Sequence, residues 1–212
     1  MGLVQGEKIL NVLAWTVIAF LSGSIPFSVF VGRLAANVDI RYYGDHNPGA
    51  TNVLRATNRR WFTLAGLLDY LKGAVPVGIA WFFLGIDGWA IIPVALAPIL
   101  GHAYSPWLRF QGGKAVAVTF GVWTGLTLGT GPIIFGMLLT LMFVVFESSA
   151  WAVMAAMLSF GGFVWLQYGN YQPELMGVWV GNLAILTSKH WAELKQPPAI
   201  QPWVLRLIGR GS

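Results

Sequence analysis

The stretch ILNVLAWTVIAFLSGSIPFSVFV, residues Ile9–Val31, decides the fold class of this chain. It holds no charged residue, and it exceeds the roughly 20 apolar residues that an α-helix needs to cross a bilayer. It also continues well past the usual length of the apolar core of a cleaved signal peptide. We therefore predict that it forms a first transmembrane segment that stays in the protein.

Six more apolar segments follow along the chain. They are Phe62–Leu84, Trp89–Tyr104, Ala115–Leu128, Pro132–Phe146, Ala150–Tyr168 and Leu175–Thr187. Several are shorter than the roughly 20 residues of a full span. Ala115–Leu128 and Pro132–Phe146 allow an alternative with five spans, in which these two dip into the membrane together as re-entrant segments. We predict an all-α membrane protein with about seven transmembrane helices.

The composition supports a single membrane domain. Of the 212 residues, 56% are hydrophobic and 10% are charged, whereas a soluble domain carries about 25% charged residues. The mean hydropathy is +0.65. The longest polar stretch, roughly Arg33–Trp61, is too short for a core of its own, so residues 1–212 are predicted to form one polytopic domain. The absence of cysteine excludes disulfides, thiolate metal sites and cysteine nucleophiles.

The basic residues fall on one side of the predicted spans. They lie in three connections or tails: Arg33, Arg41, Arg55, Arg59 and Arg60 in the first, Arg109 and Lys114 in the second, and Lys189, Lys195, Arg206 and Arg210 at the C-terminal end. Because basic residues concentrate in cytoplasmic loops, we predict an outside N-terminus and a cytoplasmic C-terminus. The same rule explains the net charge of +5 without a nucleic-acid partner.

The first basic connection contains DIRYYGDHNPGATNVLR at residues 39–55. Its glycines permit turns with positive φ. Thr51 and Asn52 offer short hydrogen-bonding side chains, and Arg55 offers a planar fork suited to phosphate. The segment is either a phosphate-binding loop or a solvated loop that caps a short interfacial helix.

The second basic connection contains RFQGGKAVAVT at residues 109–119. Two glycines precede Lys114 and a helix-like apolar run follows, and successive backbone N–H groups ahead of a helix form an anion-binding nest. The spacing is not that of a Walker A motif. Taken alone, Gly-Gly-Lys is equally typical of a basic cytoplasmic loop.

Four ionisable residues lie inside or beside predicted spans: Asp69, Lys72, His102 and Glu147. Charge in lipid is costly, so such residues face protein or a water-filled cavity. Asp69 and Lys72 share a helix face, and they either pair with each other or face a cytoplasmic pocket. His102 is either a structural residue or a base.

Small and helix-breaking residues, Ser22, Ser24 and Pro26, interrupt the first predicted span. Small residues are common where transmembrane helices contact each other closely. A widened cytoplasmic mouth beside Ser24 is the functional alternative.

The ordered set of these motifs resembles a known family. The motifs are GSIP at residues 23–26, NPGATNVLR at 47–55, DYLKG at 69–73, GH at 101–102 and FQGGK at 110–114. Together they are similar to bacterial acyl-phosphate:glycerol-3-phosphate acyltransferases of the PlsY type. The match covers about the first 120 residues well, and the ordered set is far more specific than any one motif.

The resemblance implies a membrane enzyme of phospholipid synthesis. Such enzymes move an acyl chain from acyl phosphate to the 1-hydroxyl of glycerol 3-phosphate, and they need no metal or coenzyme. They lie in the inner (plasma) membrane with the active site facing the cytoplasm. The resemblance gives Arg55, Lys114, His190 and Asp45 as candidate catalytic residues. The candidate substrate- and phosphate-binding residues are Asn47, Gly49, Thr51, Asn52, Gly112, Gly113, His102, Ser24, Asp69 and Lys72.

Three positions depart from the family pattern. Asp45 stands where the family has serine, Glu193 where it has asparagine, and Ala115 where it has glycine. A carboxylate beside a phosphate is repulsive unless it is protonated or paired with a cation. Asp45 therefore keeps open a non-catalytic relative that binds lipid phosphates. A transporter of a phosphorylated solute is a separate alternative to the acyltransferase.

Overall fold

The computed structural model describes residues 2–207, which fold into ten α-helices. Their bounds are α1 Gly2–Ser24, α2 Phe27–Ala36, α3 Ala50–Ala56, α4 Arg59–Gly78, α5 Ile91–Ala103, α6 Val116–Thr127, α7 Thr130–Val145, α8 Ser149–Tyr168, α9 Glu174–Leu194 and α10 Pro202–Leu207. Within this part of the chain there is no β-strand, only one isolated bridge between Phe146 and Ile200. Arg210, assigned above to the cytoplasmic tail, lies outside the described residues.

The predicted all-α architecture is confirmed, and each predicted apolar segment lies mainly in helix. Four helical stretches are long and apolar enough to cross a membrane: Gly6–Ala36, Arg59–Phe83, Gly88–Leu108 and Ser149–Tyr168. The α6 and α7 helices are shorter, with 12 and 16 residues. Twelve residues rise only about 18 Å, against a hydrocarbon core of about 30 Å.

The first predicted span is broken, as its Ser and Pro residues indicated. The α1 helix ends at Ser24 and α2 begins at Phe27, because Pro26 has no N–H and its ring clashes with the preceding helical turn. The Ser24 hydroxyl donates to the carbonyl of Phe20 at 2.7 Å, and the Ser105 hydroxyl donates to the carbonyl of Ser24 at 2.6 Å. These contacts favour the helix-contact interpretation of Ser24 over a widened mouth.

Glycines set the closest approach between helices. A Cβ at Gly121 of α6 would overlap the Tyr70 carbonyl oxygen of α4, and a Cβ at Gly23 of α1 would overlap the Pro98 carbonyl oxygen of α5. Transmembrane helices pack closely through such small residues. The α4–α6 and α1–α5 contacts place the ends of α4, α5 and α6 around a common site.

Replacing Gly121 by alanine is expected to lower the thermal unfolding temperature in detergent. The added methyl forces α4 and α6 apart, and overpacking of this kind costs about 1–3 kcal/mol. Gly162 of α8 is the matched control, because nothing lies within 4 Å of a Cβ built there. Gly162→Ala should be neutral or slightly stabilising, since alanine is the better helix former. Equal effects of the two substitutions would contradict this packing.

A buried chain of polar side chains attaches α9 to α6. The Trp123 indole N–H donates to Asn182 Oδ1 at 3.1 Å, and Asn182 Nδ2 donates to Thr119 Oγ1 at 3.0 Å. All three residues are buried, so their polar atoms are satisfied by one another. This attachment fixes the register of α9, whose last turns carry His190 and Glu193 towards the two basic connections.

Candidate active site

Asn52 organises the first basic connection. This buried side chain donates from Nδ2 to Asp45 Oδ1 at 3.1 Å and to the Asn47 carbonyl at 2.9 Å, and its Oδ1 accepts from Arg55 Nη1 at 2.8 Å. Gly44 has a φ of +55°, and a Cβ there would overlap the Arg55 guanidinium. The loop therefore folds back over α3 and holds Asp45 and Arg55 together.

The second basic connection is shaped around His102. The Gly113 N–H donates to the His102 carbonyl at 3.0 Å. A Cβ at Gly112 would overlap that carbonyl, and a Cβ at Gly113 would overlap the His102 ring at Nε2. The two glycines are thus required by close approach to the end of α5. Lys114 follows directly, with its side chain directed to the first connection.

Lys114 joins three segments of the chain. Its Nζ lies 2.8 Å from Asp45 Oδ2 in the first connection and 2.5 Å from Glu193 Oε1 at the end of α9. Arg55 Nη1 lies 3.4 Å from the other Asp45 oxygen. Two cations from separate segments therefore meet at one carboxylate, so Asp45 points towards the Gly-Gly-Lys loop.

The ion pairs shift the pKa values of both partners. Burial alone would raise the pKa of Asp45, but hydrogen bonding and attraction from Lys114 outweigh it and hold that pKa below its ordinary value. Burial alone would lower the pKa of Lys114, but hydrogen bonds to Asp45 and Glu193 hold it above its ordinary value. Both groups are consequently charged throughout the neutral range.

The Asp45–Lys114 pair predicts a pH window for stability. Because the pKa of Asp45 is depressed, its carboxylate stabilises the fold at pH values above its ordinary pKa of 3.8, and this stabilisation is lost as the pH falls below that value. Because the pKa of Lys114 is raised, its ammonium stabilises the fold at pH values below its ordinary pKa of 10.5, and this stabilisation is lost as the pH rises above that value. The difference in melting temperature between wild type and Asp45→Asn should be constant between these limits and shrink outside them. A difference that varies across neutral pH would contradict the pairing.

A cavity of about 510 Å³ opens beside this cluster. Its polar end is formed by Asp45, Arg55, Lys114 and His190, and its apolar wall by Phe62, Val116, Phe120, Phe143 and Val153. A second cavity of about 590 Å³ shares Asp45, Asn47 and Lys114 with the first and adds Arg41, Gly112, Lys189 and Glu193. Lys114 and Asp45 therefore stand at the junction of an apolar cavity and a polar one.

His190 is buried on α9 and lines the first cavity. Its Nδ1 lies 2.9 Å from the Leu186 carbonyl oxygen. A carbonyl only accepts hydrogen bonds, so the neutral ring carries its proton on Nδ1 and keeps a lone pair on Nε2. The residue has the tautomer that a proton acceptor needs.

A family model described as glycerol-3-phosphate acyltransferase matches residues 13–197. The chain belongs to this family. A glycerol-3-phosphate acyltransferase 1 of Thermotoga maritima is 35% identical over 84% of this chain and 94% of its own length. A glycerol-3-phosphate acyltransferase of Dechloromonas aromatica is 37% identical over 85% of this chain and 89% of its own length.

Two solved structures of a family member share the fold. They are crystal structures of PlsY, an integral membrane glycerol 3-phosphate acyltransferase, in its glycerol 3-phosphate form and in its lysophosphatidic acid form. Their TM-scores are 0.79 and 0.78, at 29% and 27% identity, and each covers 95% of this chain and 94% of the solved one. Like that acyltransferase, this chain is an integral membrane protein with apolar helices.

Most of the residues that family resemblance selected come together in the structure. The first cavity is lined by Asp45, Asn47, Gly49, Thr51, Arg55, Asp69, His102, Lys114 and His190, and the second by Gly112. Asn52 and Gly113 line neither cavity, but their hydrogen bonds hold the two loops in place. Ser24 and Lys72 line neither cavity. Lys72 pairs with Asp69 at 2.7 Å and donates to the Ile25 carbonyl at 2.8 Å, which is the structural alternative considered for it.

Other residues of the site were not selected from the acyltransferase pattern. Glu193 binds Lys114 directly, whereas the sequence marks it only as a departure from the family asparagine. Arg41 and Lys189 line the second cavity, and their only sequence signal was positive charge on the predicted cytoplasmic side. Glu147 lies on the exposed turn between α7 and α8, where its N–H donates to the Ala199 carbonyl at 2.9 Å, and it lines neither cavity.

Proposed function

We propose that this protein transfers an acyl chain from acyl phosphate to the 1-hydroxyl of glycerol 3-phosphate, which gives lysophosphatidic acid and inorganic phosphate. The observation that carries the proposal is the meeting of Arg55 and Lys114 at one anion, beside a cavity with an apolar wall. Both substrates carry phosphate and one carries a lipid chain. The family membership favours this reaction over transport of a phosphorylated solute.

The Asp45 carboxylate marks the position at which an oxyanion meets the cations. It is bound there by Lys114 Nζ, Arg55 Nη1 and Asn52 Nδ2, which is a set of donors that also suits phosphate oxygens. A substrate phosphate that enters this site shares Lys114 with Asp45 or displaces the carboxylate. The apolar wall of the first cavity offers a place for the acyl chain.

The acyl transfer takes place between the two substrates, so it requires little covalent chemistry from the protein. The glycerol hydroxyl oxygen attacks the acyl carbonyl carbon, the bond from that carbon to the phosphate oxygen breaks, and inorganic phosphate leaves. The protein contributes positioning and stabilisation of the negative charge that develops. The hydroxyl proton passes to a substrate phosphate oxygen, for which His190 Nε2 is the alternative acceptor.

An assay with purified protein tests the reaction. The protein, in detergent or nanodiscs, is mixed with palmitoyl phosphate and labelled glycerol 3-phosphate. Lysophosphatidic acid and inorganic phosphate should form in equal amounts, and neither should form when either substrate is omitted. Flux of glycerol 3-phosphate into sealed vesicles without any acylation would instead support a transporter.

The same proposal includes the membrane topology and location. It places all of residues 1–212 in one domain of the inner membrane, with the N-terminus outside and the site facing the cytoplasm. The support comes from the meeting of both basic connections with the end of α9, which puts Arg55, Lys114 and Lys189 at one end of the bundle. Seven crossings are consistent with that arrangement, and the short α6 and α7 are the segments that would be re-entrant in a five-span protein.

Asp45 supports a second candidate, a relative that binds lipid phosphates without turnover. Its carboxylate already neutralises part of the charge of Lys114 and Arg55. If the enzyme is active, Asp45→Ser should lower the KM for glycerol 3-phosphate by a few-fold, because the two cations are released for phosphate. Activity that appears only in Asp45→Ser would favour the non-catalytic relative.

A further inference from the structure

Among residues 2–207, two buried polar atoms face each other and neither makes a hydrogen bond of good geometry. They are Asp69 Oδ1 on α4 and His102 Nδ1 on α5. They lie 3.8 Å apart, which is too far for a direct hydrogen bond. Both side chains are more than nine-tenths buried, and both residues line the first cavity. Buried polar atoms are normally paired, so the arrangement indicates a site for a polar atom that lies beside the two atoms, on the cavity side, and bonds to both.

The surroundings hold both side chains in place. Asp69 Oδ2 accepts from the Ser28 hydroxyl at 2.6 Å. Lys72 Nζ lies 2.7 Å from Asp69 Oδ1 as an ion pair outside hydrogen-bond geometry, so it balances the charge and leaves a lone pair of this oxygen open. The opposite side of the His102 ring packs on Gly113. The two unpaired atoms are therefore preorganised.

We propose that Asp69 and His102 bind the 2-hydroxyl of the glycerol 3-phosphate acceptor, an inference that rests on the function proposed above. A hydroxyl is one donor and an acceptor at the same oxygen. It donates to Asp69 Oδ1 and accepts from the N–H of His102 Nδ1. A dianionic phosphate has no proton to donate to Asp69 and is repelled by its carboxylate, and an alkyl group satisfies neither atom.

The chemistry selects the hydroxyl that does not react. The 1-hydroxyl must offer a lone pair to the acyl carbonyl carbon, and a hydrogen bond accepted from His102 would withdraw electron density from that lone pair. The 2-hydroxyl does not attack the acyl group, so it can accept a hydrogen bond from His102 without slowing the reaction. Asp69 and His102 are thus positioning residues, which orient the acceptor while its proton and its acyl group move elsewhere.

The location of this pair fits an acceptor whose phosphate is held by Lys114. His102 contacts Gly113, which precedes Lys114 in the chain, and all of Asp69, His102 and Lys114 line the same cavity. Glycerol 3-phosphate is a short molecule, so a hydroxyl site close to the phosphate site is required for it to use both.

A comparison of two acceptors tests this inference. 3-Hydroxypropyl phosphate keeps the phosphate and a primary hydroxyl and lacks only the 2-hydroxyl. We expect wild-type kcat/KM to be roughly ten- to a hundredfold higher for glycerol 3-phosphate than for this analogue. In His102→Phe and in Asp69→Asn the preference should fall close to one, mainly because glycerol 3-phosphate is used less well.

Ser105→Ala is the matched control. Ser105 is also buried and polar and lies just beyond α5, but its hydroxyl contacts the Ser24 carbonyl and it lines neither cavity. Its substitution should leave the preference unchanged. A wild-type preference near one overturns the inference even if the variants fail to fold. A preference that survives in both variants also overturns it, because it shows that water and not the acceptor bonds to the two atoms. Acylation of neither acceptor would instead refute the proposed function.

Discussion

Replacing Lys114 by alanine is expected to lower kcat/KM for acyl transfer by about 10²–10³-fold, the scale seen when a preorganised charge-stabilising donor is removed. Lys114 is the residue at which the two cavities, the loop of Asp45 and the end of α9 meet. Its loss removes one of the two cations proposed to hold the phosphate of glycerol 3-phosphate, and it leaves Asp45 and Glu193 near each other without a shared cation. Steady-state phosphate release with palmitoyl phosphate and glycerol 3-phosphate measures the effect.

Lys195→Ala is the control for this substitution. Lys195 is an exposed basic residue at the end of α9 and lines neither cavity, so its removal should change the rate by less than about twofold. Circular dichroism and size-exclusion profiles of both variants should match those of the wild type. A Lys114→Ala protein that keeps wild-type turnover would show that the Gly-Gly-Lys loop only obeys the positive-inside rule.

Replacing Arg55 by lysine is expected to raise the KM for glycerol 3-phosphate by about tenfold, the effect of losing one charged hydrogen bond. The guanidinium donates to Asn52 Oδ1 at 2.8 Å and reaches Asp45 Oδ1 at 3.4 Å. A lysine keeps the charge but loses the planar fork that bonds two acceptors at once. Arg55→Ala should lose more than Arg55→Lys, because both the charge and the fork are absent.

The matched control is Arg59→Lys, which changes the same side chain at an exposed position at the start of α4. It should leave KM unchanged. Because Arg55 and Lys114 are proposed to hold one phosphate, the double alanine variant should lose less than the product of the two single losses. If the double variant loses activity by the full product of the two single losses, Arg55 and Lys114 bind different phosphates.

The bounds of the helices could be predicted where the sequence is uniformly apolar. They were less predictable where a helix contributes polar residues to the site. The segment Leu175–Thr187 was predicted as the last span, but α9 runs on to Leu194. Its extension contains Lys189, His190 and Glu193, which face the cavities rather than lipid, so hydropathy gives no signal there. Residues 39–55 were expected to be either a phosphate-binding loop or a loop that caps a short interfacial helix. The structure contains the short helix α3, and Thr51 and Arg55 of this helix line the cavity.

Only the site residues that lie in the family motifs could be predicted from the sequence, and their contacts with one another could not. The resemblance selected Arg55 and Lys114 together, but the residues are far apart in the chain and no spacing rule joins them. The acidic Asp45 looked unfavourable beside phosphate, and its pairing with Lys114 depends on how two loops fold over the end of α5. The contact of Glu193 with Lys114 needs the register of α9, which the buried Asn182 determines.

The most direct test of the account is a high-resolution structure of the protein in nanodiscs with glycerol 3-phosphate bound. We expect phosphate oxygens within hydrogen-bond distance of both Lys114 Nζ and the Arg55 guanidinium, with the glycerol carbons directed into the cavity that Asp69 and His102 line. A phosphate bound away from both cations, or in contact with only one of them, would contradict it.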